Sequence, residues 1–227
     1  MIRTMALGDV HGNYKALKQC FERSGFNKTT EVLIVLGDVV DGYPDVKECI
    51  DEILTCKNLI YVIGNHDRWF YEWTKEPREF IWTSQGGENT FNSYIPKSHI
   101  ELFRDSCAAH TDDKNRLFVH GGFDIKEENF EKQKLDTLLW DRHLIEVAHM
   151  NRKNYPDKKY GGFEEIFLGH TSTQIINGTT TPIHACNVWD LDTGAGYRGK
   201  LTIMDVDTHE FWQSDSAKEL YPNDHGR

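Results

Sequence analysis

The chain has 227 residues and a formal net charge of −10, and its mean hydropathy is −0.60. A chain of this length forms one domain or two and buries about 70% of its unfolded surface. Hydrophobic residues make up 38% of the sequence, which excludes a disordered tail. A membrane span is excluded because no apolar run approaches ~18–20 residues. The acidic balance also disfavours an extended nucleic-acid surface, which needs clustered Lys and Arg.

The first part of the chain predicts repeated strand–turn–helix units. A helix capped by Asn13 and ended by Gly25 follows the first strand, and a helix starting at Pro44 with Leu54 on its apolar face follows the second. The predicted strands are Thr4–Leu7, Val32–Leu36 and Leu59–Ile63. Strands that alternate with helices predict a largely parallel sheet, whose ligands gather beyond the carboxyl ends of the strands.

The remainder of the chain is less regular at first and then returns to a strand pattern. Residues 68–112 contain an aromatic and predominantly helical cover, which we expect to pack over a core edge, with a role in gripping substrate as the alternative: Trp69, Phe70, Tyr71, Trp73, Phe80 and Trp82. Later strands are predicted at Leu117–Val119, Ile166–Leu168, Asn187–Leu191 and Lys200–Val206. No repeat, linker or low-complexity stretch marks a boundary, so a single domain over residues 1–227 is expected.

Apolar strands in this chain repeatedly end beside glycine and a residue that can bind metal. The side chains placed in this way are Asp9, His11, Asp38, Asp41, Asn65, His66, His120 and His170. One such turn alone is usually structural, but together the turns would project these groups toward one edge of the sheet. Burying them without counter-charge would be prohibitive, and a divalent metal supplies that charge.

The mixture of ligands narrows the chemistry. Imidazole and carboxylate without thiolate suit Mn²⁺, Fe²⁺ or Zn²⁺, and a short carboxylate can bridge two ions about 3.5–4 Å apart. The sequence has neither a phosphate-binding loop of the G-x-x-x-x-G-K-[ST] type nor a G-x-S-x-G elbow. These residues therefore predict a dinuclear metal hydrolase acting on a phosphate ester or anhydride.

The same turns, in chain order, resemble the motifs of the calcineurin-like metallophosphoesterases, closest to the bacterial and phage protein serine/threonine phosphatase branch. The matching stretches are Gly8–Gly12, Gly37–Asp41, Gly64–Asp67, His120 and Gly169–Thr171. The resemblance extends over about residues 8–206. It implies an α/β fold of two packed mixed β-sheets flanked by helices, in αββα layers.

The resemblance also implies roles for individual residues. The first metal would be held by Asp9, His11 and Asp38, and the second by Asp38, Asn65, His120 and His170. In the family a hydroxide bridging the metals attacks phosphorus in line. His66 would then protonate the leaving oxygen, and Asp41 would orient its ring. Arg142 and Asn65 would bind phosphate oxygens.

One position departs from the family pattern. The second motif usually continues Asp-Arg-Gly, whereas here Asp41 is followed by Gly42 and Tyr43, so a phosphate-binding arginine is missing. Arg68 and Arg198 are candidate substitutes, although each is expected more often to be an ordinary surface residue. The departure affects the expected substrate preference more than the expected hydrolysis.

Three hypotheses about function follow. The leading one is a metal-dependent phosphomonoesterase of the protein serine/threonine phosphatase type, with two divalent ions, Mn²⁺ favoured. The alternative is a symmetrical dinucleoside tetraphosphatase or a phosphodiesterase, including one for 2′,3′-cyclic nucleotides. A catalytically inactive binding scaffold is disfavoured because His66 and all the expected ligands are present. The expected partner is a phosphoprotein or nucleotide.

The five cysteines are an odd number without C-x-x-C spacing, which predicts free thiols and a cytoplasmic location.

Overall fold

The computed structural model describes residues 2–76, 82–93 and 96–227, so the predicted aromatic position Phe80 lies outside the described residues. The strands are β1 Thr4–Leu7, β2 Val32–Val35, β3 Asn58–Tyr61, β4 Ala109–Thr111, β5 Arg116–Val119, β6 Glu165–Leu168, β7 Ile183–Ala185, β8 Val188–Asp190, β9 Thr202–Asp205 and β10 Phe211–Gln213. The helices are α1 Tyr14–Ser24, α2 Val46–Leu54, α3 Asn65–Lys75, α4 Gly87–Asn92, α5 Lys97–Arg104, α6 Leu135–Trp140, α7 His143–Asn151, α8 Thr173–Asn177 and α9 Ala217–Leu220. None of the helices in these ranges has the length and apolar character needed to cross a membrane.

The strands form two five-stranded mixed sheets. The first has the order β10-β9-β1-β2-β3, with β1, β2 and β3 parallel and β9 and β10 antiparallel. The second has the order β4-β5-β6-β8-β7, with β5, β6 and β8 parallel and the outer strands antiparallel. The prediction of a largely parallel arrangement therefore holds only for the central strands.

The two sheets pack face to face through a shared apolar layer. Phe118 of β5 stacks on Phe167 of β6 with ring centroids 5.0 Å apart, and both lie against Ala6 and Ile34 of the first sheet. Helices α1 and α2 cover the outer face of the first sheet, and α7 packs on β7 and β8 of the second. The predicted fold, two packed mixed sheets flanked by helices, is confirmed.

Local sequence signals explain where most of the early elements begin and end. Asn13 caps α1 by accepting a hydrogen bond from Ala16 N–H at 3.1 Å, and Gly25 ends the helix in the left-handed conformation. The expected start of the second helix at Pro44 was wrong by two residues, because Asp45 occupies the cap and α2 begins at Val46. Leu54 was expected on the apolar face but is exposed at the end of α2.

The parallel strands place the motif residues at one edge. Asp9 follows β1, Asp38 follows β2 and Asn65 follows β3, while His120 and His170 follow β5 and β6 of the facing sheet. Because the carboxyl ends of these strands lie at the same edge of the two packed sheets, the loops after them come together. We call the space that these loops surround the cleft.

Candidate active site

The cleft brings the predicted metal ligands into two adjoining groups. Asp9, His11 and Asp38 form one group, and Asp38, His120 and His170 form the other, with the offered ligand atoms in each group within 4.8 Å of one another. Every member is buried, and Asp38 belongs to both groups. A carboxylate in that position can bridge two ions.

Asn65 completes the second group. Its Oδ1 lies 3.0 Å from His120 Nε2 and 2.9 Å from His170 Nδ1. Asn65 begins α3 instead of lying in an open turn, so His66 and Asp67 occupy the first turn of a helix. Because both residues lie in the first turn of α3, the helix fixes the spacing between the Asn65 amide, which faces the histidines, and the His66 imidazole.

Backbone strain is concentrated at these positions. Seven residues other than glycine have a positive φ in the described part of the chain, and four of them are predicted site residues. These four are His11 (φ 48°), Asp38 (50°), Asp41 (69°) and His170 (67°). A positive φ costs of order 1–3 kcal/mol at such residues and persists where the surrounding structure enforces it. The strain therefore marks the cleft as a functional site.

Two motif glycines allow the loops to approach one another closely. A Cβ on Gly64 would lie 2.0 Å from Asp38 Oδ1, and a Cβ on Gly169 would lie 2.2 Å from Asp9 Oδ1. Both contacts are far below van der Waals distance, so only glycine fits at either position. The close approach thus explains why glycines recur beside the predicted metal ligands in the sequence.

Backbone carbonyls orient two of the histidine rings. His11 Nδ1–H donates to Val40 O at 3.0 Å, and His120 Nδ1–H donates to Leu36 O at 2.6 Å. In each ring this leaves the Nε2 atom facing Asp38 Oδ2, at 3.7 Å from His11 and 3.3 Å from His120. Such hydrogen bonds typically fix the tautomer and direction of metal-binding histidines.

The donor set fits a divalent metal pair. His11 Nε2, Asp38 Oδ2 and His170 Nε2 are buried and have no hydrogen-bond partner. An unsatisfied buried polar atom costs about 1–3 kcal/mol, and all three atoms belong to residues of the two adjoining ligand groups. Coordination to metal would satisfy all of them, and carboxylate with imidazole suits Mn²⁺, Fe²⁺ or Zn²⁺.

Burial and neighbouring charges shift the pKa values of the candidate ligands in different directions. Burial lowers the pKa of His11 and of His170 well below the usual value, which keeps these rings neutral. Burial opposes ionisation of Asp38, but the surrounding imidazoles outweigh it and hold its pKa well below the usual range. Burial also disfavours the charged form of His120, yet Asp38 raises the pKa of this ring to about 9. Positive charge is therefore favoured beside Asp38.

His66 and Asp41 form a buried pair next to the ligand groups. His66 Nδ1–H donates to Asp41 Oδ2 at 2.6 Å. The carboxylate is itself held by Trp82 Nε1–H at 2.7 Å and by the Thr90 hydroxyl at 2.6 Å. Burial raises the pKa of Asp41, and the hydrogen bond from His66 opposes that effect. The imidazole is fixed with its Nε2 turned toward the cleft, where it contacts Arg227.

Asp67, which the motif contains but to which the sequence analysis assigned no role, anchors the loop that carries Asp38. Its Oδ2 accepts hydrogen bonds from Asp38 N–H at 2.8 Å, Gly64 N–H at 3.0 Å and the Tyr61 hydroxyl at 2.9 Å. Its Oδ1 accepts one from Val39 N–H at 3.0 Å. Burial and the neighbouring Asp38 raise the pKa of Asp67 to about 6. The carboxylate binds the β2 and β3 loops together.

The arginines suggested from the sequence differ in position. Arg142, at the N-terminal cap of α7, is exposed, and its charge adds to the effects of burial and His120 that lower the pKa of His170. Arg68 pairs instead with Glu72 along the exposed face of α3, with Nε 2.6 Å from Oε1. Arg198 is exposed and contacts His225 at 2.9 Å.

The structure adds further groups that the sequence analysis missed. Arg227 extends into the cleft from the C-terminal segment, and no motif near it signals this position. Trp69 lies edge-on to His66, with ring centroids 5.1 Å apart, and the Trp140 ring centroid lies 5.0 Å from that of Trp69. Trp140 also lies 5.6 Å from His170. Trp69, a member of the aromatic cover, therefore packs against the core and also lies beside a predicted site residue.

Comparison with known proteins supports the family expected from the motifs. Residues 2–197 match the sequence profile of the calcineurin-like phosphoesterases. The chain is 21% identical to serine/threonine-protein phosphatase 1 of Salmonella typhimurium, over 88% of this chain and 90% of that protein. It is 35% identical to the symmetrical bis(5'-nucleosyl)-tetraphosphatase of Pseudomonas entomophila, over 96% of each chain.

A solved structure of a proposed diadenosine tetraphosphatase shares the fold, with a TM-score of 0.70 and 16% identity over 93% of this chain and 92% of that one. The profile match covers most of the chain and includes the loops that carry every predicted metal ligand. Two mixed sheets with those loops at their shared edge, and a profile match of this extent, place the chain in the calcineurin-like phosphoesterase family, whose members are metal-binding hydrolases.

Proposed function

We propose that this hydrolase is a dinuclear metal-dependent phosphomonoesterase of the protein serine/threonine phosphatase type. The observation that carries the proposal is the sharing of Asp38 between two ligand groups beside the His66–Asp41 pair. This arrangement combines a site for two cations with a positioned proton donor. Both are needed to displace an alkoxide from phosphorus.

The ligand groups define where the ions would bind. Asp9, His11 and Asp38 would hold one ion, and Asp38, Asn65, His120 and His170 the other, with Mn²⁺ the favoured metal and Fe²⁺ or Zn²⁺ the alternatives. When bound, a metal pair polarises phosphoryl oxygens and lowers the pKa of water. Two divalent ions would also reverse the local sign of charge in an otherwise acidic protein.

His66 has the proton-transfer role. Asp41 holds Nδ1, so the proton that leaves the enzyme must be carried on Nε2, which faces the cleft. Trp82 and Thr90 keep the Asp41 carboxylate from rotating, since each of its oxygens receives a side-chain donor. Asn65 and Arg142 would bind phosphate oxygens at the rim of the second group, Arg142 through its exposed guanidinium.

Metal removal tests the proposal directly. Dialysis against EDTA is expected to abolish hydrolysis of p-nitrophenyl phosphate and of a phosphoserine protein, and added Mn²⁺ is expected to restore both. The reason is that the two ligand groups would hold the ions that polarise the phosphoryl oxygens and lower the pKa of water. Release of p-nitrophenol and of inorganic phosphate measures the two activities.

The same preparation should be given a dinucleoside tetraphosphate and a 2′,3′-cyclic nucleotide. Turnover of the monoesters alone supports the phosphatase assignment. Turnover restricted to the anhydride or the cyclic diester would contradict it while leaving metal-dependent hydrolysis intact. Hydrolysis of any substrate that persists unchanged in EDTA would remove the metal pair from the mechanism.

A nucleotide substrate is the second candidate, and the aromatic groups near the site favour it. Trp140 is 41% exposed and bridges Trp69 and His170 by ring contacts. A nucleobase has a flat π-face that stacks on such a side chain, worth about 1–3 kcal/mol per base. The relative from Pseudomonas entomophila is named for a dinucleoside tetraphosphate, which would bring two bases to the site.

Trp140→Ala separates the two candidates. If Trp140 stacks on a base, the KM for a dinucleoside tetraphosphate should rise about tenfold, while kcat/KM for p-nitrophenyl phosphate changes by less than about threefold. Phe91→Ala is a matched control because this ring is also exposed and contacts Trp73 instead of the site histidines. Equal losses with both substrates would show that Trp140 supports the site without recognising a base.

A further inference from the structure

The Arg227 guanidinium lies in the cleft between the groups that would contact a phosphate ester. Its Nη1 contacts His66 Nε2 and lies 4.0 Å from Asp38 Oδ2. The side chain is only 9% exposed, and its buried Nε–H has no hydrogen-bond partner. A buried guanidinium donor without an acceptor is costly, so the site has an unfilled requirement for an oxygen acceptor.

The departure at residue 42 lies close to the segment that carries Arg227. Gly42 has φ +78°, and a Cβ there would lie 2.9 Å from His11 O and 3.0 Å from His11 Cβ. The backbone therefore excludes any side chain at the place where the motif usually has arginine. Gly86 lies beside both segments, because a Cβ on it would be 2.7 Å from Arg227 Cβ and 3.0 Å from Gly42 N. Gly86 thus lies against both the Gly42 backbone and the Arg227 side chain.

The next residue of the departure helps to anchor the segment that carries Arg227. Tyr43 packs on Tyr221 with ring centroids 4.7 Å apart, in a small buried cluster that includes Ala217 of α9. Arg227 N–H donates to Gly196 O at 3.0 Å, and its guanidinium carbon lies 4.8 Å from the centre of the Tyr197 ring. A backbone hydrogen bond and the contact with the Tyr197 ring hold the arginine, and its Nη1 group faces His66 and Asp38 in the cleft.

We propose that Arg227 is a further phosphate-binding residue of this site, taking the place of the arginine that is absent after Asp41. The inference rests on the proposed function, since it requires a phosphate ester to lie between His66 Nε2 and Asp38 Oδ2. A guanidinium there can donate two parallel hydrogen bonds to phosphoryl oxygens. Phosphate is a stronger acceptor than the neutral ring nitrogen that Arg227 contacts in this structure, so substrate would draw the guanidinium away from His66.

The alternative assignments are weaker on geometry. Arg68 is paired with Glu72 and Arg198 with His225, both on exposed surface, whereas Arg227 contacts the imidazole that would protonate the leaving group. Arg142 is exposed at the rim, near His170. Arg227 and Arg142 would therefore approach a bound phosphate from different sides.

The test compares Arg227→Gln and Arg227→Lys with the matched control Arg198→Gln, which removes an arginine from the neighbouring exposed contact with His225. With Mn²⁺ present, calorimetric titration with inorganic phosphate should show affinity about tenfold or more weaker in Arg227→Gln. The kcat/KM for p-nitrophenyl phosphate should fall about 100-fold. Arg227→Lys should recover part of the affinity, because it keeps the charge but loses the paired donors. The control should match the parent protein in both measurements.

The binding measurement keeps this inference separable from the proposed function. Unchanged phosphate affinity and turnover in Arg227→Gln would overturn the role of Arg227 while leaving the hydrolase intact. Increased turnover would overturn it too, since it would show that the arginine blocks the cleft. If none of the monoesters is hydrolysed by the parent protein, the proposed function fails, but weaker phosphate binding in Arg227→Gln would still support the assignment. Equal thermal unfolding of the variants confirms that the comparison concerns the site.

Discussion

His66→Asn is expected to reduce kcat by about 10²–10⁴-fold for a phosphate ester with an alkyl leaving group, because the departing alkoxide would leave without a proton. The effect should be much smaller for p-nitrophenyl phosphate, whose leaving group is a stable anion. The structure supports this difference, since His66 is fixed by Asp41 on one side and presents Nε2 to the cleft on the other. Steady-state kinetics with phosphoserine protein and p-nitrophenyl phosphate would measure both losses.

His184→Asn provides the matched control for this prediction. His184 is exposed on β7, and its ring stacks on Trp189 instead of contacting the residues of the candidate site. Its loss should leave both rates unchanged. Manganese binding, measured by calorimetry, should be retained in His66→Asn because this ring belongs to neither ligand group. An equal loss with both leaving groups would contradict the acid role, and unchanged hydrolysis would remove His66 from the mechanism altogether.

The metal-ligand candidates could be located from the sequence because their signal is local. An apolar strand followed by glycine and Asp or His is visible within a few residues, as at Asp9 after β1 and Asp38 after β2. The rule that parallel strands present their carboxyl ends at one edge then brings remote segments together. The structure places all of these residues in one cleft, while their roles in binding and catalysis remain predictions.

Long-range partners were not accessible in the same way. Trp82 and Thr90 hold Asp41 from 41 and 49 residues away in sequence, across loops whose conformation no local propensity determines. Arg227 lies 161 residues from His66, and its segment is anchored by long-range contacts such as the packing of Tyr43 on Tyr221. The missing arginine is visible in the sequence, but no local sequence signal connects it with the segment that carries Arg227.

At the start of α3, the structure differs from the turn that the sequence predicts. Gly64–Asp67 reads as a turn because glycine and asparagine favour turns, yet the structure continues from Asn65 directly into a helix. Asp67 satisfies the Gly64 N–H at the beginning of that helix, at 3.0 Å, while also reaching the β2 loop. The Asp67 carboxylate caps a helix and also binds a second loop. Tertiary contacts determine this arrangement, and the motif alone does not predict it.

Asp67→Ala is expected to lower the free energy of unfolding by about 3–5 kcal/mol, one of the largest effects available in this chain. The substitution would leave buried donors of Asp38, Gly64 and Tyr61 without an acceptor. Urea denaturation of the full chain in EDTA, monitored by tryptophan fluorescence, would measure the change in the free energy of unfolding without a contribution from bound metal.

Tyr61→Phe is the matched control for Asp67→Ala, because it removes one donor to Asp67 and keeps the ring that packs edge-on to Phe103 at 5.7 Å. Its cost should be about 1 kcal/mol. If both variants lost the same stability, Asp67 would be no more than the partner of one hydroxyl. If Asp67→Ala alone were strongly destabilised, the carboxylate would be the group that holds the Asp38 loop against α3. In that case the position of Asp38, which both candidate ligand groups share, depends on a residue that belongs to neither group.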